Sequence, residues 1–336
     1  MLRQWENGHR GLSAYYAELL SEVLGVPLSP DTNGSDNAEA LSLQNNGTDG
    51  FALALTDRLA SAASVDRELV GLFEGQTQSF RLLDRRLGAR QLLSQTEAHV
   101  DQMLGLLGYS LPGPNRALLA EAIAEAAALA GWQALDLGRP MDTWRHHETA
   151  KAAARESGNA SVLAHVTAQQ AYALLDLDRP ADARALIGHA LTEAGEQVPA
   201  LVKSWLNAAH AEALAACGDA PGSLRALDAA TLHLPKPGAE TLPYLALDEI
   251  HLARWRGHCL ARIGAIEAVD DLSSAVARHD GTFARAEASL RCDLALALAV
   301  RGDRDGARDQ AVKAGRLAAR TASVRQRRRI SRLATG

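Results

Sequence analysis

Residues 134–140 read ALDLGRP, and residues 174–180 read LLDLDRP. The interval between these strings is 40 residues, and a further 40 brings AACGDAP at 215–221. Similar turns follow at Ile263-Gly264 and at Arg301-Gly302-Asp303. The turn centres are therefore Gly138, Asp178, Gly218, Gly264 and Gly302, and spacings near 40 residues belong to stacked helix–turn–helix pairs.

A stricter test uses the close approach of the two helices in each pair. A tetratricopeptide (TPR) repeat needs a small residue seven positions before the turn, and those positions hold Gly131, Ala171, Ala211, Gly257 and Ala295. Twelve positions after the turn a second small residue is expected; Ala150, Ala190, Ala230 and Ala314 meet it and Val276 does not, four of five. The usual aromatic pattern is largely missing and the repeats exceed the standard length. The expected fold is all-α: a TPR-like α-solenoid of about five helix pairs over 113–322, preceded by a helical segment.

Composition agrees. The chain has 336 residues, 47% apolar but only 4% aromatic, with charges of both signs interleaved and a net charge of -5. Such a mix suits helices packed through small side chains, and no global charge calls for nucleic acid or membrane. Cys217, Cys259 and Cys292 are far apart and form no CxxC, so they read as small buried thiols. The first residues, MLRQWENGHRG, have no apolar signal core, and no uncharged run is long enough for a membrane span. The expected location is cytoplasmic.

Outside the repeats the chain divides by texture. Residues 1–26 read as the end of one helix, a turn and a second helix, with Tyr16, Leu19, Leu20, Val23 and Leu24 on one face. Residues 27–50 are rich in Pro, Asn, Asp, Gly and Ser and read as a flexible linker. Residues 51–110 regain helical periodicity, with one long helix kinked near Gly88 and another after it. LPGPN at 111–115 marks a break.

LRQWENGHRG followed by SAYYAELLSEVLGV resembles the end of a helix-turn-helix domain of the XRE (Cro-like) type, whose recognition helix ends in a Trp-Glu-x-Gly string, here Trp5, Glu6, Asn7 and Gly8. AGWQALDLGR, AYALLDLDRP, HLARWRGHCLARIG and SVRQRRRI resemble actinobacterial regulators that join such a domain to TPR-like repeats. The resemblance implies a transcriptional regulator whose repeats sense a ligand or partner and support a homodimer, with DNA as partner in a full-length form. The family's first two helices and the start of its recognition helix have no counterpart here. Residues 1–26 are thus a C-terminal remnant: either the true start lies upstream and the chain is longer, which is the expectation, or the regulator has lost its DNA-reading part. What remains of the recognition helix, Arg3, Gln4, Asn7, His9 and Arg10, could reach phosphates but not base edges. The alternative is a TPR-like interaction scaffold with no DNA role.

No catalytic or cofactor motif occurs: there is no phosphate-binding loop, GxGxxG, GxSxG or HExxH. No enzyme, cofactor or metal site is expected. The groove is the better candidate. In TPR arrays the first helix of each pair lines the concave side at 13, 10, 6 and 3 positions before the turn, a single helix face. That face carries His165, Trp205 and His251 at the first position, Arg254 at the second, and Trp132, Tyr172, Glu212 and His258 at the third. Aromatics mixed with His, Arg and Glu suit a peptide or an aromatic small molecule. Finally, residues 323–336 form a basic tail with Arg325, Arg327, Arg328, Arg329 and Arg332 and no acidic residue. It reads either as a patch for DNA phosphates or an acidic partner, or as a basic helix that caps the array.

Overall fold

The computed structural model describes residues 51–336 apart from 240, 246, 280, 282 and 336. The remnant, with Arg3, Gln4, Asn7, His9 and Arg10, and the linker lie outside the described residues. The chain forms two compact units, Met1–Ala60 and Ser61–Gly336. Residues 51–60 of the first are helical. The second unit holds the fold.

Helices α1 (Arg67–Leu87) and α2 (Leu93–Leu107) precede the repeats. Instead of kinking near Gly88, α1 stops there: Gly88 caps it at φ 84° and ψ 168°, and a short 3-10 turn (Ala89–Gln91) leads into α2. Five pairs follow. They are α3 (Pro114–Asp136) with α4 (Pro140–Ser157), α5 (Ala160–Asp176) with α6 (Pro180–Ala194), and α7 (Ala200–Ala216) with α8 (Ala220–His233). Then come α9 (Glu249–Arg262) with α10 (Ala268–Ala277), and α11 (Ala284–Val300) with α12 (Arg304–Arg320). A last helix, α13 (Val324–Thr335), ends the chain. The architecture is a TPR-like helical solenoid.

All five turns close in the same way. The left-handed residue donates back one turn (Gly138 N to Leu135 O, 2.9 Å), and the residue after it donates one residue further back (Arg139 N to Ala134 O, 2.9 Å). The same pair of bonds recurs at Asp178 and Arg179, Gly218 and Asp219, Gly264 and Ala265, and Gly302 and Asp303. This double bond satisfies carbonyls that a helix end leaves open. Asp178 does this at φ 57° without being glycine, as aspartate can. In four pairs the second helix starts two residues after the turn centre; α10 starts later, at Ala268.

The small residues at the pair contact serve close packing. Ala150, Ala171, Ala190, Ala211, Ala230 and Ala314 are all fully buried. A Cβ added at Gly131 would stand 2.5 Å from the His147 ring, and one at Gly257 would stand 2.8 Å from Leu272 Cδ2. The His147 ring cannot swing aside freely because its Nδ1 hydrogen-bonds Thr143 O at 2.8 Å. Gly131→Ala should therefore destabilise the unit by about 1–3 kcal/mol through overpacking, read as a shift of the urea midpoint. An unchanged midpoint would show that α3 and α4 are not in this register.

Among the described residues one helix, α3, is long and apolar enough to cross a bilayer, but 78% of its apolar window is buried inside the protein. Its alanines and Ile123 form the core with α1, α2, α4 and α5. This burial makes it the central helix of the unit. The two ends of the array also meet: α11 packs against α1, and α13 packs against α3. That closure shapes the site.

Candidate functional site

The first helices of successive pairs turn matching faces inward. The eight groove positions read from the sequence, Trp132, His165, Tyr172, Trp205, Glu212, His251, Arg254 and His258, all line one cavity of about 540 Å³. Volumes of this size hold small ligands.

One wall is aromatic. Trp132 and Tyr172 meet edge to face with centroids 5.7 Å apart. Trp205 stands between His165 (4.5 Å) and Trp255 (5.8 Å). Tyr244 arrives from the segment between α8 and α9 and lies 5.0 Å from His165. That longer segment also explains why the fourth turn is spaced more widely than the first three.

The opposite side is polar and joined. Glu212 Oε2 accepts from Tyr172 Oη at 3.2 Å and from Trp255 Nε1 at 2.8 Å. Its Oε1 lies 3.2 Å from His258 Nε2, while His258 Nδ1 lies 2.6 Å from Asp293 Oδ1. Asp293 also holds Arg329 of α13. Burial disfavours charge on every member of this chain. For His258 the carboxylates Asp293 and Glu212 outweigh burial and raise its pKa. For Glu212 burial is overcome chiefly by His258, and for Asp293 by Arg329 and His258, so both carboxyls are held below the usual range. His165 differs: burial first, then the charge of Arg81, push it down to about 3, so it stays neutral.

The basic tail is a helix, and its five arginines do not make one exposed patch. Arg325 Nε donates to both carboxylate oxygens of Asp176 at 3.0 Å, and its guanidinium lies over the rings of Trp132 (5.5 Å) and Tyr172 (5.6 Å). Arg329 reaches Asp293 and donates to Ser289 Oγ at 2.9 Å. Arg332 pairs with Asp178 at 3.0 Å. Only Arg327 and Arg328 are exposed without an ion pair among the described residues. The α13 face is thus turned inward because the repeats bring three aspartates within its reach. Ser323 Oγ adds a 2.6 Å bond to Asp136.

His251 sits exposed and pairs with Asp248 at 2.7 Å. Arg254 is half-buried, and its Nε is buried without a hydrogen-bond partner. Sequence reading missed Trp255, Tyr244, Arg285, Asp293 and Asp84, all of which line the cavity. Trp255 was findable as an aromatic neighbour of the predicted face. Asp293 and Asp84 carry no signal, since their roles depend on α13 and α11 folding back.

The two buried thiols are not activated nucleophiles. Burial raises the thiol of Cys259 and pushes Cys292 up to about 11, so neither is a ready thiolate. Among the described residues no group of three His, Cys, Asp or Glu is placed to hold a metal ion.

No protein-family model matches the chain, and no curated protein matches it. Among solved structures it is similar to BtubC (BKLC) from P. vanneervenii, at 14% identity over 69% of this chain and 91% of that one, with TM-score 0.46. It is also similar to nearly identical kinesin light chain TPR-like repeats from Podosopora anserina, in two structures at 15% identity. These cover 59% and 63% of this chain and 95% and 99% of theirs, with TM-scores 0.38 and 0.39.

Proposed function

We propose that the repeat unit is the ligand-sensing module of a cytoplasmic transcriptional regulator of the XRE type, binding its effector in the central cavity. The observation that carries the sensing part is convergence. Eight residues on one recurring helix face, contributed by four successive repeats, line a single cavity whose far side is completed by α13. A helix from the chain's end that forms part of the wall would link occupancy to the packing of the whole array. Such a link needs only a ligand that favours one arrangement over another. The regulator part rests on the Trp5-Glu6-Asn7-Gly8 string and on the order of the repeats behind it. DNA contact in a full-length form and a homodimer go with that part. The repeat fold equally suits a scaffold that holds a protein partner.

Replacing Trp205, His251 and Arg254 together should abolish the ligand response, read as the thermal shift on adding effector, while leaving the helical circular dichroism unchanged. A surviving response would mean that the cavity face is assigned wrongly. The regulator and scaffold readings separate in a low-salt gel shift with this chain and with a form extended by in-frame upstream sequence. Binding by the extended form supports the regulator, and binding by neither supports the scaffold.

A further inference from the structure

The charges inside the cavity do not balance. Eight arginines line it, together with six carboxylates. Arg81, Arg285, Arg325, Arg329 and Arg332 each have a carboxylate partner. Arg85 lies over the Phe283 ring, with its guanidinium 5.8 Å from the ring centroid. Arg254 and Arg262 of α9 have no ion pair among the described residues. These two stand one turn to either side of His258 on one face of α9, since i, i+4 and i+8 align along a helix. His258 is itself bridged by Glu212 and Asp293. The α9 row therefore presents cationic groups to a cavity whose available carboxylates are already engaged.

Taking the cavity as a binding site, we infer that its ligand is a compact organic anion. Its planar, largely apolar body lies among Trp132, Trp205 and Trp255, and its negative group sits against Arg254, with Arg262 adding charge at the rim. A guanidinium fork matches a carboxylate or a related oxyanion with paired N–H bonds. The buried Nε of Arg254, which has no hydrogen-bond partner, gains one in that arrangement. The aromatic wall suits a flat body through edge and face contacts. A neutral ligand could accept from Arg254 but would leave its charge uncompensated, and a cation would meet like charge. An extended peptide is a poorer fit, because α13 and Tyr244 occupy the sides along which it would run, leaving about 540 Å³.

The test uses the full chain and three probes of one shape: 1-naphthoate, neutral 1-naphthamide and cationic 1-naphthylmethylammonium. Titration calorimetry and quenching of tryptophan fluorescence report binding. Naphthoate should bind at least about tenfold more tightly than naphthamide, as expected for one charge-assisted guanidinium contact. In R254Q/R262Q that preference should vanish. Trp205→Ala should weaken naphthoate and naphthamide alike. Equal affinity for naphthoate and naphthamide would overturn the anion class and leave the cavity standing as a binding site. Tighter binding of the cation would do the same. Retention of the naphthoate preference in R254Q/R262Q would overturn the placement. If none of the probes binds, both the anion inference and the cavity reading fall.

Discussion

Gly88→Ala is expected to destabilise the Ser61–Gly336 unit by on the order of 4 kcal/mol, lowering its melting temperature by roughly 10 °C. Two effects add at this residue. Its backbone, φ 84° and ψ 168°, lies in a region open to glycine and costly to every L-residue. A Cβ there would also stand 2.4 Å from the carbonyl oxygen of Thr321, a backbone atom that cannot rotate away. Thr321 caps α12 just before α13 begins, so the clash falls where the end of the array closes on its start. The lost packing should loosen α13 as well as α1. Denaturation followed by helical circular dichroism measures the effect, with Gly71→Ala as the control. Gly71 is exposed within α1 with open space around it, and alanine there should be neutral or stabilising by up to about 1 kcal/mol. If Gly88→Ala melts with the wild type, the closure between α1 and the α12–α13 junction is wrong.

Acid should be the second large lever. His147 and His165 are buried as neutral rings, mainly because burial disfavours their charged forms; His147 is pushed down to about 4 and His165 to about 3. The unfolded chain takes up those protons near the ordinary value of 6.5, while the folded protein resists them. Stability is therefore full above about pH 6.5 and falls as pH drops from there toward 4 and 3. At pH 5 each ring should cost about 2 kcal/mol relative to pH 8, by linkage. His258 works in the opposite sense. Its raised pKa adds stability that is complete below 6.5 and is lost as pH rises through the folded value. Asp293 and Glu212, held low, keep their contribution until the pH falls well into the acid range. Urea titrations at pH 8 and pH 5 should show the net acid loss. In His165→Phe that loss should shrink by about 2 kcal/mol. An equal loss in wild type and His165→Phe would mean that His165 is protonated and solvated in the fold.

The cavity connects these two expectations with the ligand inference. Gly88 holds the seam that keeps α13 in place, His165 forms part of the aromatic wall, and α13 supplies Arg325 and Arg329 to the interior. A change that opens the seam should therefore weaken ligand binding even though Gly88 does not line the cavity.

The sequence by itself determined the repeats. A helix turn needs a left-handed residue followed by a chain reversal, and two helices can touch closely only over small side chains. Both demands are local and periodic, so they are written as Gly138, Asp178, Gly218, Gly264 and Gly302 and as the small residues spaced around them. The same periodicity placed Trp132, His165, Tyr172, Trp205, Glu212, His251, Arg254 and His258 on one recurring face. Only the tertiary structure decided what faces them. Whether Arg325 and Arg329 meet solvent or Asp176 and Asp293 depends on how far the array curves before its ends meet. Curvature is the sum of small rotations between successive helices, and no single residue encodes it. The basic stretch after Ser323 could be read as a surface patch because its partners lie about 36 to 154 residues away in the chain. Closure changes an open groove with a charged tail into a walled cavity, with Arg325 and Arg329 turned inward.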